Sequence, residues 1–169
     1  MIKMIGVIFV IVSCGVVGFK ISVNYKREEK YMFDLILILE YMISELQYRL
    51  TPLPQLCRQV SRIFNNSLGN VFEKFSEELE LQQYADPAEC MSIVLKKTIC
   101  IPPITRDQIV TLGFCVGQFD IEGQIKSIES VLKECERRLA LLRNNRDNRL
   151  RSYQTLGLCA GAALAILFV

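Results

Sequence analysis

The sequence predicts an all-α fold: a bundle of about six helices flanked by N-terminal and C-terminal transmembrane helices. Apolar residues recur at steps of three and four, the period of one helix face, and no stretch shows the apolar–polar alternation of a half-buried strand. Long apolar runs occupy both ends of the chain, while charge is concentrated between them. With 169 residues, roughly 130 remain between the two runs, enough for one compact domain. The expected division is residues 1–23 as the first membrane helix, 24–152 as a cytoplasmic helical bundle and 153–169 as the second membrane helix.

The first segment, Ile2 to Val23, is interrupted only by Lys3 and Lys20. Both lie near enough to an end to snorkel, and about 20 apolar residues cross a bilayer. Two other readings stay open. A cleaved secretory signal fits the apolar run, although no A-x-A-like site follows. Ile11-Val12-Ser13-Cys14 has the residue types of a lipid-attachment box at Cys14, although the next five residues stay apolar where a lipid-anchored chain would turn polar. Lys20, Lys26, Arg27 and Lys30 outweigh Lys3 and the amino terminus, which places the middle domain in the cytoplasm.

From Lys26 the chain predicts a helix to Leu50, with Leu35, Leu39, Met42, Leu46 and Leu50 on one stripe and enough flanking Ile and Leu to make it apolar nearly all round. Thr51-Pro52-Leu53-Pro54 forces a stiff turn. A short helix bearing Leu56, Val60, Ile63 and Phe64 follows, and Ser67 is expected to cap the next one, which carries Leu68, Val71, Phe72, Phe75 and Leu79 opposite an acidic side. Asp86-Pro87 reads as an N-cap with proline at the first helical position. Pro102-Pro103 stops that helix, and Thr105 to Gln108 fits a capping box. Gly117 ends the fifth helix and Asp120 caps the sixth, whose seam runs Ile121, Ile125, Ile128, Leu132, Cys135, Leu139 and Leu142.

The sixth pattern passes without proline through Arg143, Arg146, Arg149 and Arg151 into a run from Leu156 to Val169 that carries no charge. Fourteen residues make about 21 Å of helix against ~30 Å of hydrocarbon, so starting at Tyr153 and local bilayer thinning complete the span. Gly157, Gly161 and Ala165 form a ladder of small residues, and Cys14 and Gly18 repeat the four-residue step on the first segment, which allows a close hairpin in lipid.

Several function classes lose support. The chain has no histidine and no tryptophan, so the commonest general base and nitrogen ligand for metals are missing. Seven cysteines without a CxxC pair do not read as a disulfide framework. A net charge of +2 gives no argument for nucleic acid, and no GxxxxGK[ST] stretch would cradle a nucleotide. No catalytic residue, cofactor or metal is therefore expected.

Three stretches, LTPLPQL (50–56), LGFCVGQFDIEGQ (112–124) and RSYQTLGLCAGAALAILFV (151–169), together with the N-terminal apolar segment, resemble the stage III sporulation protein AB family of endospore-forming Firmicutes. Leu112, Gly113, Gly117, Asp120 and Gln124 fall on the family's pattern, and Gly157 and Gly161 on its C-terminal one. Gly123 inside the long helix and the bulky Phe114-Cys115 depart from it. The family is similar in its cytoplasmic domain to the inner-membrane platform protein of type II secretion and type IV pilus machines. The resemblance implies a non-enzymatic, multi-pass membrane platform on the mother-cell side of the outer forespore membrane, needed for endospore formation as part of a transenvelope channel.

Its implied partners are the secretion-type ATPase stage III sporulation protein AA, other proteins of the channel, membrane lipid and further copies of the chain, with no nucleic acid. Partner contacts are expected at Pro52, Pro54, Leu112, Gly113, Gly117, Asp120 and Gln124, each of which also has a purely structural reading as a turn, a close helix approach or a cap. The alternative is a small pore-forming or lipid-anchored membrane protein with an unrelated interaction role.

Overall fold

The computed structural model describes the backbone of residues 2–81, 86–98, 101–117 and 120–168, and the side chains of 24–81, 86–98, 101–116 and 120–144. It contains six α-helices, α1 (Ile2–Arg49), α2 (Leu53–Ile63), α3 (Ser67–Leu81), α4 (Pro87–Lys97), α5 (Pro103–Gly117) and α6 (Ile121–Phe168), with no strand among the described residues. The residues divide into two units, Lys30–Leu139 and the terminal pair Met1–Glu29 with Ala140–Val169.

The first unit is built on the face of α1 that buries Met32, Leu35, Leu39, Met42 and Leu46, the three-and-four spacing of a helix stripe. That stripe is narrower than the sequence predicts: Phe33 and Leu37 are exposed, and Leu50 lies outside the helix and in solvent. The other helices contribute to the same core Leu56 and Val60 from α2, Phe72 and Phe75 from α3, Met91, Val94 and Leu95 from α4, Ile109 and Leu112 from α5, and Ile128, Val131 and Cys135 from α6. Ile63 and Ile121, expected inside, are exposed. Each ends or begins its helix, where the stripe has run past its neighbours.

Polar bonds set the register. Tyr41 donates to Gln59 Oε1 at 3.2 Å, Asn66 Nδ2 to Asp34 Oδ2 at 3.1 Å and Tyr31 to Ser67 Oγ at 3.1 Å. Partners rise in number from α2 through the link to the start of α3 as they fall along α1, so α2 runs back along α1 antiparallel to it. Gly69 lies against Phe64 and Ser76 donates to the Pro54 carbonyl at 2.8 Å, so α3 runs antiparallel to α2, and Arg58 pairs with Glu80 at 2.6 Å across the two. Where these two helices meet, a Cβ on Gly69 would collide with the Phe64 carbonyl oxygen, so glycine alone permits the approach.

Three helix starts differ from the sequence reading. Asn66, and not Ser67, caps α3: its Oδ1 accepts from the amides of Leu68 and Gly69, both at 3.0 Å, leaving the Ser67 hydroxyl for Tyr31. Pro103 is the first residue of α5, and the Pro102 carbonyl accepts from Arg106 N at 2.9 Å. Proline has no amide for the first turn to satisfy, so the pair that was expected to end a helix begins one. Thr105 consequently sits inside α5, buried, and its Oγ1 has no hydrogen-bond partner among the described residues. Pro54 likewise lies in the first turn of α2, not in a loop. The Asp86 cap holds, with Oδ1 accepting from Ala88 N at 2.9 Å.

On α6, Glu134 is held by Arg137 and Arg138, each at 2.7 Å, and hydrogen bonding to the two guanidinium groups lowers its carboxyl to about 2. The group is solvent-facing, so the pairing marks the wet side of the helix more than it stabilises it.

In the terminal unit α1 and α6 meet through Glu29 and Arg143, 2.9 Å apart, and Leu142 is buried. Among the described residues no helix is long and apolar enough to cross a membrane. The side chains of 1–23 and 153–169, where the sequence places both membrane helices, lie outside the described residues, as do the packing positions Cys14, Gly18, Gly157, Gly161 and Ala165.

Two substitutions test this packing by thermal unfolding. Gly69→Ala should destabilise the protein by about 1–3 kcal/mol, because a carbonyl must move to admit the methyl. Thr105→Val should stabilise it by about 1 kcal/mol, since it keeps the volume and removes a buried unsatisfied hydroxyl.

Candidate functional site

Two corners of the bundle carry the residues that the sequence singles out. At the first, α1 ends because Pro52 bars helical geometry at Thr51, and Leu50 takes the left-handed conformation, φ 52°. Glycine usually fills that place, since a Cβ there crowds the carbonyl oxygen. The turn is locked from beneath: Thr51 Oγ1 donates to Glu45 Oε2 at 3.3 Å, and Arg49 lies 3.4 Å from the other carboxylate oxygen. Glu45 and Thr51 are both buried. Burial, and then the Glu45 charge, raise the Tyr41 phenol above its usual range. The lock leaves Tyr48 77% and Leu50 62% exposed, with Pro52 beside them also in solvent.

At the second corner Leu112 points into the core, and Gly113 lets α5 approach α4. A Cβ on Gly113 would stand 2.8 Å from Met91 Cβ and 3.4 Å from Ala88 Cα. The opposite side of α5 then faces outward, so Phe114 is exposed and Cys115 half-buried. Gly117 is the last residue of α5. Asp120 caps α6: its Oδ1 accepts from Gly123 N at 3.0 Å and its carbonyl from Gln124 N at 2.8 Å. Glycine at position 123 thus stands in the first turn of α6, where its amide meets the cap. Gln124 is half-buried and Ile121 exposed.

The predicted site residues therefore fall into two groups. Pro52 and Pro54 open α2, while Leu112 enters the core, Gly113 makes the α4–α5 contact, and Asp120 and Gln124 start α6. Sequence reasoning missed Tyr48 and Leu50. The signal was present, because a residue two before proline at the end of an apolar stripe occupies the position that turns the chain.

These corners present apolar side chains, not reactive ones. Burial pushes up the thiols of Cys57 and Cys115, that of Cys90 to about 11 and that of Cys135 to about 12, so little thiolate exists at neutral pH. Among the described residues no group of His, Cys, Asp or Glu could hold a metal ion.

The family model for stage III sporulation protein AB matches residues 3–169. The stage III sporulation protein AB of Bacillus subtilis (strain 168) is 24% identical over 173 residues, covering 100% of both chains. A solved structure of a stage III sporulation protein AB superposes with a TM-score of 0.63 at 20% identity, covering 72% of this chain and 98% of that one. This last likeness concerns the fold.

Relieving the left-handed strain by Leu50→Gly should raise stability by about 0.5–1 kcal/mol despite glycine's larger chain entropy. Asp120→Ala should lower it by about 0.5–2 kcal/mol through loss of the cap. Both are read from denaturant midpoints.

Proposed function

The chain belongs to the stage III sporulation protein AB family, and from that premise we propose that it is a non-enzymatic platform, held in a membrane at both ends, that docks a secretion-type ATPase on its helical bundle. The observation that carries this reading is that α1 and α6 each join a core-forming stretch to a terminal apolar run within one uninterrupted helix of 48 residues. A bundle tied to two such ends suits a fixed mount better than a diffusing enzyme. The protonated state of its buried thiols and the lack of a nucleotide-binding stretch support assigning ATP hydrolysis to a partner.

Under this proposal the apparatus is the sporulation channel, the membrane is the outer forespore membrane seen from the mother cell, and the bundle lies in the mother-cell cytoplasm. The ATPase is stage III sporulation protein AA. Its contacts centre on the two corners, where Tyr48, Leu50 and Phe114 stand out of the bundle, since exposed aromatic and aliphatic anchors carry most of an interface's affinity. Leu112 and Gly113 act from behind by fixing Phe114, and Pro52, Pro54, Gly117, Asp120 and Gln124 by shaping the corners.

Full-length protein in detergent should capture the ATPase in at least one nucleotide state, and Leu50→Asp or Phe114→Asp should weaken capture about tenfold or more without lowering the melting temperature. Absence of capture in every nucleotide state would contradict the docking role.

A further inference from the structure

Charge is divided unevenly between the two units. Met1–Glu29 and Ala140–Val169 hold eight Lys and Arg against three Asp and Glu, a surplus of five positive charges, whereas Lys30–Leu139 holds twelve against fifteen. A chain whose net charge is +2 thus conceals a strongly basic terminal unit.

Within that unit the basic residues come from two helices that touch. Lys26 and Arg27 on α1 are exposed. Arg143 on α6 pairs with Glu29 at 2.9 Å while remaining half-exposed, and this contact marks the side of α6 that meets α1. Arg146, Arg149 and Arg151 follow within little more than two further turns of the continuous helix α6. Both helices then enter their uncharged stretches: α6 from Leu156 on, and α1, read backwards, beyond Lys20. The seven cations at 20–27 and 143–151 outnumber the three acids at 28, 29 and 147 by four, whatever the pairing.

We infer that this paired basic collar is a binding site for the headgroups of anionic phospholipids. Two adjoining helices that present Lys and Arg at the base of apolar segments match a phosphate layer, with its negative surface potential and its phosphate oxygens for bidentate guanidinium contacts. Arginine supplies four of the seven collar cations at Lys20, Lys26, Arg27, Arg143, Arg146, Arg149 and Arg151 from α6 alone, and arginine rather than lysine is suited to such contacts. A doubly charged lipid would bridge the two helices and hold them together at this level.

The inference rests on the membrane reading proposed above, and the experiment separates the two. Full-length protein purified in detergent is titrated with cardiolipin and, separately, with phosphatidylcholine, and retained lipid is counted by native mass spectrometry. The collar should hold cardiolipin at least about tenfold more tightly than phosphatidylcholine, as several cations near a phosphate layer imply. A variant with Arg143, Arg146, Arg149 and Arg151 all changed to Gln should lose that preference, and the corresponding Lys variant should keep most of it. Inorganic phosphate at millimolar concentration should not displace the lipid, since a free anion lacks the acyl chains that hold the headgroup at the collar. Retention of both lipids to the same extent, or a preference untouched by the Gln changes, overturns the collar site and leaves the membrane reading standing. Retention of neither lipid overturns both. Far-UV circular dichroism of each variant shows whether α6 remains helical.

Discussion

The burial of one face of α1 between Met32 and Leu46 is the constraint from which the bundle follows. Those side chains cannot be covered by a single neighbour, and each later helix brings three or four apolar residues to the same core. The flanks of that face are polar, and they decide orientation: Tyr41, Asp34 and Tyr31 bind residues of α2, of the link after it and of the start of α3. Hydrophobic burial drives association without direction, while these bonds select one register among those that would bury similar area. The lock of Thr51 on Glu45 closes the same series at the end of α1.

Most of this architecture was legible because periodicity survives in the folded chain wherever a helix is long. Ile128, Cys135 and Leu139 on α6, and Phe72 and Phe75 on α3, are buried where the spacing places them. What escaped lay at helix ends. Asn66 rather than Ser67 caps α3 because Tyr31 claims the serine hydroxyl, a choice made by α1 and invisible from within 65–69. Pro103 opens a helix because Arg106 reaches the Pro102 carbonyl. Proline pairs mark a boundary in sequence but do not say from which side it is approached. Leu50 fits the core stripe by spacing, yet the Thr51-Pro52 that follows it ends the helix at Arg49 and turns Leu50 outward. At the candidate corners Asp120 was legible as a cap, whereas the exposure of Tyr48 depends on which flank of α1 the later helices leave uncovered.

The two corners are built differently. At the α1–α2 corner a residue holds a left-handed backbone in solvent, a conformation that glycine would adopt more readily. Such strain is found where the surroundings over-determine it, and it concentrates at functional positions. At the α5–α6 corner Gly113 seats α5 closely on α4, and this close contact turns Phe114 outward.

The account depends on both ends of the chain entering one membrane while residues 24–152 remain on the cytoplasmic side. Labelling of single introduced cysteines in an otherwise cysteine-free chain, by a membrane-impermeant maleimide, measures this directly. Intact producing cells should label Ile2→Cys and Val169→Cys, and should label Glu77→Cys, on the exposed side of α3, only after permeabilisation. Labelling of Glu77→Cys in intact cells would contradict the account.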